Sequence, residues 1–403
     1  MALSHVAARA VRRRLLQDCQ YAAFGGGAML GVMYIGALKE LTGGDDAVFG
    51  AWHKALKGVA GTSAGAIIAL LVCAGVTPAR MQVLLEGLPV ASVGASATSS
   101  SLTQMLQRGA VCTDVDLNVL LQSLVAQVFE NHLAKPAAAI TLQDLAALHF
   151  PDLVIVVTNA RTGVVDFWKA DTHPMVPVWL ALRASCSVPG LFPCVSWDGD
   201  TFYDGGVTCN LPCHLFPARS TLSMFVHMGG SEDPPALLPP VTAAAGCTAA
   251  AGGTAAAGAS AAAGASAGAT ASDAASAMMT GVRHGVRMVQ WYMCAAQLGP
   301  LRTSVDRIAR CVPCVATKAG PMLGSAGAFS FQASHDTHMA LMEDGARCVE
   351  AVIARDVLLM VVILIELGGH RNFDQAPSSS ALFSSACPRP LTPGTSKTQC
   401  TRV

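Results

Sequence analysis

Along the chain, short unbroken apolar runs alternate with longer stretches of helical periodicity, which predicts strands alternating with helices. Residues 153–158 (LVIVVT) are the clearest strand. They are β-branched and apolar at successive positions, as expected inside a parallel sheet covered on both faces. Residues 19–24, 58–60, 201–203, 222–227 and 329–331 read as shorter strands, and 164–168 alternates like an edge strand. Residues 32–41 place Ile35, Leu38 and Leu41 on one helical face. Further helices are predicted at 66–74, 77–88 (Pro78 at its start), 116–129, 178–184, 283–298 and 337–353. Another spans 141–148, where Thr141 and Asp144 approach a capping box. Residues 45–53 read as a loop, 91–101 as a mobile loop and 357–366 as a final apolar core element.

These elements divide the chain into a basic segment at 1–18, a core at 19–230, an Ala/Gly-rich insert at 231–280, a helical part of the same domain at 281–370 and a tail at 371–403. The insert and the Pro/Ser/Thr-rich tail hold too few large apolar side chains to offset the entropy of ordering, so both are expected to be disordered. The length of 403 residues suits one large α/β domain with additions, or two domains.

Charge narrows the classes of partner. Lys plus Arg and Asp plus Glu number 26 each, so net charge is zero and nothing favours a nucleic acid. No run approaches the ~18 apolar residues of a membrane span. The N-terminus lacks the apolar core of a signal peptide, and its arginines (Arg9, Arg12, Arg13, Arg14) read as a basic surface helix. An intracellular protein, cytoplasmic or peripheral on membranes, is expected. The fourteen cysteines are scattered through apolar runs and read as reduced, buried thiols. Cys311-Val-Pro-Cys314 has no second pair at zinc-ribbon spacing.

Chemistry concentrates at three points. Gly61-Thr62-Ser63-Ala64-Gly65 lies between an apolar strand and a small-residue helix, the setting in which G-x-S-x-G pushes a hydroxyl out of a sharp turn. Gly25-Gly26-Gly27-Ala28, with Gly31 following, joins a strand to a helix and is suited to cradling an anion on backbone N–H groups. No Lys-Ser/Thr follows it, which excludes a Walker loop, and its glycine spacing fits a dinucleotide fingerprint poorly. Asp204-Gly205-Gly206 ends a strand. In a parallel sheet all three reach the carboxyl edge, where active sites collect. Ester hydrolysis needs a nucleophile, a base and oxyanion donors, and Ser63, Asp204 and the glycine loop supply one each.

With these motifs in this order, residues 21–230 resemble the patatin-like phospholipase family, with weaker traces to about residue 353. The glycine loop, the serine pentapeptide, Asp204-Gly205-Gly206 with Asn210-Leu211-Pro212, and Arg183-Ala-Ser185-Cys-Ser187-Val-Pro189-Gly190 each resemble a family motif. The resemblance implies a three-layer α/β/α fold with a mostly parallel central sheet. It implies a Ser63–Asp204 dyad without histidine, oxyanion donors among Gly25, Gly26, Gly27 and Ala28, and Gly31, Gly61, Gly65, Gly205 and Gly206 in support. It further implies a lipid acyl-ester substrate, foremost phospholipid, peripheral membrane contact, and no metal or cofactor. Two departures stand out: Leu30 holds the place of a usual Lys or Arg, and either Ala28 holds that of a usual glycine or the loop carries one extra residue after three glycines. Two alternatives stay open at this point. One is a Ser-His-Asp esterase using a histidine such as His227 or His214, and the other is a degenerate member that binds lipid without turning it over.

Overall fold

Tyr21–Phe24 (β1), Gly58–Thr62 (β2) and Asp152–Asn159 (β3) form the middle of one sheet in which β1, β2 and β3 run parallel. The structure, a computed structural model, describes residues 2–93, 109–129, 132–228, 310–323 and 333–368. The expected insert, the helix at 283–298, the strand at 329–331, the tail and most of the 91–101 loop lie outside the described residues. Val165–Trp168 (β4), Val195–Trp197 (β5), Asp200–Asp204 (β6), Thr221–Met228 (β7) and Cys311–Ala316 (β8) complete the sheet. Neighbours follow β5-β6-β3-β2-β1-β7-β8, with β4 also on β3. The pairs β1–β7 and β7–β8 are parallel, while β3–β4, β3–β6 and β5–β6 are antiparallel. Every residue of β2 and six in succession in β3 are buried, so helices cover both faces in a three-layer α/β/α arrangement.

The helices among the described residues are Ala2–Leu15 (α1), Met33–Thr42 (α2), Asp46–Ala55 (α3), Ala64–Cys73 (α4), Pro78–Gly87 (α5), Val115–Phe129 (α6), Leu142–Ala147 (α7), Val178–Ser185 (α8) and His335–Gly368 (α9). The chain divides into two units, residues 1–356 and 357–403, the second described only at the end of α9. No helix of the described residues is long and apolar enough to cross a membrane.

Several expectations need correcting. The stretch at 45–53 is helix α3: the Asp45 side chain caps it by accepting from Ala47 N, and Phe49 and Trp52 are buried three residues apart. The helix at 337–353 and the apolar element at 357–366 are one helix, α9. Strand β3 is not interior to a purely parallel sheet, because it carries two antiparallel partners. The reading of reduced, buried thiols holds for Cys311 and Cys314 of β8, both free and with pKa values pushed up by burial, whereas Cys194 is exposed. The capping box of Thr141 and Asp144 is present at α7.

The N-terminal helix belongs to the first unit. Val11, Leu15 and Leu16 are buried, Arg12 pairs with Glu40 of α2, and Arg14 with Asp356 of α9. The basic run is thus partly neutralised by carboxylates.

Helices α2 and α9 cross backbone to backbone. A Cβ at Gly36 would overlap the Met342 carbonyl, and one at Gly345 the Met33 carbonyl. Next to this crossing the buried Asp344 accepts from Lys318 N at 3.0 Å and Ala319 N at 2.8 Å, tying the end of β8 to α9. Gly345→Ala is therefore expected to destabilise the protein by about 3 kcal/mol through overpacking. Gly50→Ala on α3, with open space around it, should stabilise by about 0.5–1 kcal/mol. Thermal melts of the two variants beside wild type check both signs.

Candidate active site

Ser63 sits at the turn from β2 into α4, with φ 54° and ψ −126°. A non-glycine residue holds this left-handed conformation only when its surroundings force it, at about 1–3 kcal/mol. The glycines on either side explain how the turn closes. A Cβ at Gly61 would overlap the Gly65 carbonyl, and one at Gly65 the carbonyls of Phe24 and Gly25. The same close approach locks turn and glycine loop together, since a Cβ at Gly31 would lie 2.8 Å from Ala64 Cβ.

The route by which Asp204 reaches Ser63 differs from the expected one. Strands β4 and β6 both pair with β3 at Val157 and Thr158, so they occupy opposite edges of it. Strands β4 and β2 both pair with β3 at Ile155 and Val156, so they too are on opposite edges. Hence β2 and β6 share one edge of β3 and run head-on towards each other. Thr62 ends β2 opposite Val156, and Asp204 ends β6 opposite Val157. Adjacent levels on one edge are about 3.3 Å apart along the strand. Asp204 therefore meets Ser63 from an antiparallel strand, not from the carboxyl edge of a parallel one. Gly205 is required because a Cβ there would overlap the Val156 carbonyl.

Asp204 is fully buried, and its Oδ1 accepts from Gly206 N at 2.7 Å. Its Oδ2 is buried and has no hydrogen bond of ordinary geometry among the described residues. Burial pushes the carboxyl pKa up to about 7, against the Ser63 hydroxyl and the Gly206 N–H, which pull it down. Beside the pair lies Cys186, whose thiol is pushed up to about 12, first by burial and then by Asp204. It stays protonated and is no rival nucleophile. The backbone of Asp204 bonds to Ser187 and Thr158, so its bonds, like that to Gly206, go to partners other than histidine. His214 stands edge-on to Phe167, and His227 lies within β7.

In the glycine loop the backbone donors divide. Gly25 N bonds Met224 O at 2.9 Å and Gly26 N bonds Asn210 O at 3.1 Å. Asn210 Nδ2 also donates to Gly26 O at 3.4 Å, and Tyr34 OH to Gly25 O at 2.7 Å. Gly25 and Gly26 thus anchor the loop. The N–H groups of Gly27 and Ala28 are left without a bond among the described residues. Ala28 takes φ 48° and opens the 3-10 turn Ala28–Val32 that leads into α2. It stands where glycine would be unstrained. Leu30 is buried in that turn.

A cavity of about 150 Å³ connects these parts. Ala28 and Gly31 of the loop, Ser63, Ile67 of α4, Leu84 of α5 and Leu120 of α6 share its wall. Ser63 supplies the only hydroxyl among its described lining. Apart from Ser63 and Cys186 that described lining is hydrocarbon, with Met29 and Met81 adding thioethers, which suits it to an apolar group. Among the described residues no cluster of three His, Cys, Asp or Glu is placed to hold a metal ion.

Residues 22–217 match the family model described as patatin-like phospholipase. The uncharacterized protein YqhO of Bacillus subtilis (strain 168) is 29% identical over 203 residues, 48% of this chain. The chain spans 65% of the length of that relative. Among solved structures, VipD from Legionella pneumophila is similar at 15% identity and a TM-score of 0.41, over 81% of this chain and 67% of that one. The type III effector protein ExoU, of the type III secretion system of Pseudomonas aeruginosa, is similar at 14% identity and a TM-score of 0.37, over 85% of this chain and 54% of that one.

Proposed function

Residues 22–217 belong to the patatin-like phospholipase family, and from that premise we propose that the protein hydrolyses fatty-acyl esters of lipids, phospholipids foremost, through Ser63 and Asp204. The observation that carries this reading is the head-on meeting of β2 and β6, which sets a fully buried carboxyl beside a strained serine on the wall of a hydrocarbon-lined cavity.

In the first half-reaction Ser63 Oγ attacks the ester carbonyl carbon and Asp204 takes the hydroxyl proton. A base with a pKa near 7 is suited to that transfer at neutral pH. Charge developing on the carbonyl oxygen is held by the N–H groups of Gly27 and Ala28. The tetrahedral adduct expels the alcohol, which leaves with the proton from Asp204. In the second half-reaction water attacks the acyl-Ser63 ester, again giving its proton to Asp204. The fatty acid departs and the proton returns to Ser63. The cavity holds the acyl chain, and the lipid is drawn from a membrane surface with which contact is peripheral.

The test is labelling of purified protein with a fluorophosphonate followed by peptide mapping. Ser63 is expected to carry the label, with none on Ser63→Ala and a rate reduced at least a hundredfold on Asp204→Ala. Absence of label on folded wild-type protein would overturn the enzymatic reading in favour of a lipid-binding one. Retained labelling of Asp204→Ala together with loss on His227→Ala would favour an esterase triad.

A further inference from the structure

We propose that Ser185 is a positioning residue that holds the nucleophile turn open towards Asp204; this rests on the reading of Ser63 as nucleophile. Had β2 continued beside β3, Ser63 N would bond the Val156 carbonyl directly, as the next rung of the parallel ladder. Instead the Ser185 hydroxyl stands between them. Ser185 Oγ accepts from Ser63 N at 2.8 Å and donates to Val156 O at 2.7 Å. One ladder bond is replaced by two, and the end of β2 is wedged away from β3 where the chain enters its strained turn.

The gap has a use. Asp204 and Gly205 enter the same edge of β3 at Val157 and Val156. Without the wedge, Ser63 would occupy the rung into which the end of β6 runs. Two residues after Ser185, the Ser187 carbonyl accepts from Asp204 N at 2.9 Å. One short segment therefore holds the main chain of both reacting residues. Arg183 fixes that segment from behind. Its guanidinium, almost wholly buried, donates to Ser187 Oγ and to Pro193 O at 2.9 Å and lies 5.8 Å from the Phe192 ring centre.

A second consequence concerns the oxyanion. Because Ser63 N is bonded to Ser185, it is withheld from the reacting carbonyl, while the N–H groups of Gly27 and Ala28 stay open to it. Ser185 itself is fully buried and is not among the residues of the cavity wall, so it acts only through Ser63.

The experiment compares wild type, Ser185→Ala, Ser185→Thr and Ser223→Ala. Each full-length protein is assayed for hydrolysis of a p-nitrophenyl ester of a medium-chain fatty acid, for fluorophosphonate labelling rate and for Tm. Ser223 is an equally buried serine on β7 whose hydroxyl has no hydrogen-bond partner among the described residues, so it controls for loss of a buried hydroxyl as such. Ser185→Ala is expected to lower kcat and labelling rate at least a hundredfold with KM within about threefold. The midpoint near pH 7 should stay in place, because Asp204 keeps its burial. Ser185→Thr, which retains the hydroxyl, should recover kcat to within tenfold of wild type, and Ser223→Ala should label like wild type. Wild-type kcat in Ser185→Ala, or a folded but inactive Ser185→Thr, would overturn the proposal. If Ser185→Ala does not fold, the threonine variant alone decides between these outcomes. Wild-type protein that never labels would instead sink the enzymatic reading, and this proposal with it.

Discussion

Asp204→Asn is expected to abolish hydrolysis and, above neutral pH, to make the protein more stable. Its activity should fall by 10²–10⁴, the usual contribution of a positioned base. The stability gain follows from burial. In the unfolded chain this carboxyl loses its proton near 3.8, and in the folded protein near 7. Between those values the folded state retains a proton that the unfolded state has released. Wild-type stability therefore declines as pH rises through this window and levels off above it. A displacement of this size corresponds to roughly 4 kcal/mol in all. Asparagine has no proton to lose and keeps an oxygen to accept the Gly206 N–H. The variant should match wild type near pH 4 and exceed it by that margin at pH 8. Thermal melts across this range, beside the pH dependence of wild-type kcat/KM, make the check. Wild-type kcat/KM should rise with pH to a plateau with a midpoint near 7. An equal Tm difference at pH 5 and pH 8 would show that Asp204 does not titrate as its burial requires.

Gly27→Ala is the second large effect, and it falls on the other side of the reaction. A Cβ at Gly27 would overlap Val226 Cγ2. Val226 is buried in β7 and β-branched, so it has little freedom to rotate away. The loop must move instead, taking with it the N–H groups of Gly27 and Ala28. Misplacing an oxyanion donor costs about 10²–10³ in kcat, so kcat should fall by that factor while KM changes little. The double variant Gly27→Ala with Val226→Ala restores the room and should regain most of the loss. A single variant with more than half of wild-type kcat would remove these two amides from the mechanism.

The altered loop positions fit this picture. Ala28 holds φ 48° because the loop is anchored on both sides, by Asn210 and Met224 before it and by the 3-10 turn after it. Leu30 takes the place of a cation, yet it is buried in the turn and adds to the core.

What the amino-acid sequence determined by itself was local. The strand, sharp turn and helix around Ser63 are written in one apolar run, two glycines and a small-residue stretch, all within a few residues of one another. The same holds for β3, whose β-branched run permits little else, for the capping box at Thr141, and for the order of motifs that resembles the patatin-like family. Helix α3 was equally local, since Asp45, Phe49 and Trp52 carry its cap and buried face, but the Gly-Gly-Asp-Asp run before it reads as loop. The hairpin turn of β5 into β6 is written as Asp198-Gly199, both with positive φ, and it is the one local sign that β6 runs antiparallel to β5.

The tertiary structure alone decided the rest, because each remaining feature depends on a partner far away in sequence. Five residues ending in Asp204 have no preferred direction until they meet β3, and only that pairing brings the carboxyl head-on to Ser63. Which glycine amides stay open was settled by Met224 and Asn210, about 190 residues downstream. Gly36 and Gly345 are ordinary small residues until α2 and α9 cross. Ser185 is one serine among many until its hydroxyl stands between Ser63 and Val156. Periodicity and composition report the environment each segment needs, whereas the site is made where segments with compatible needs are packed against one another.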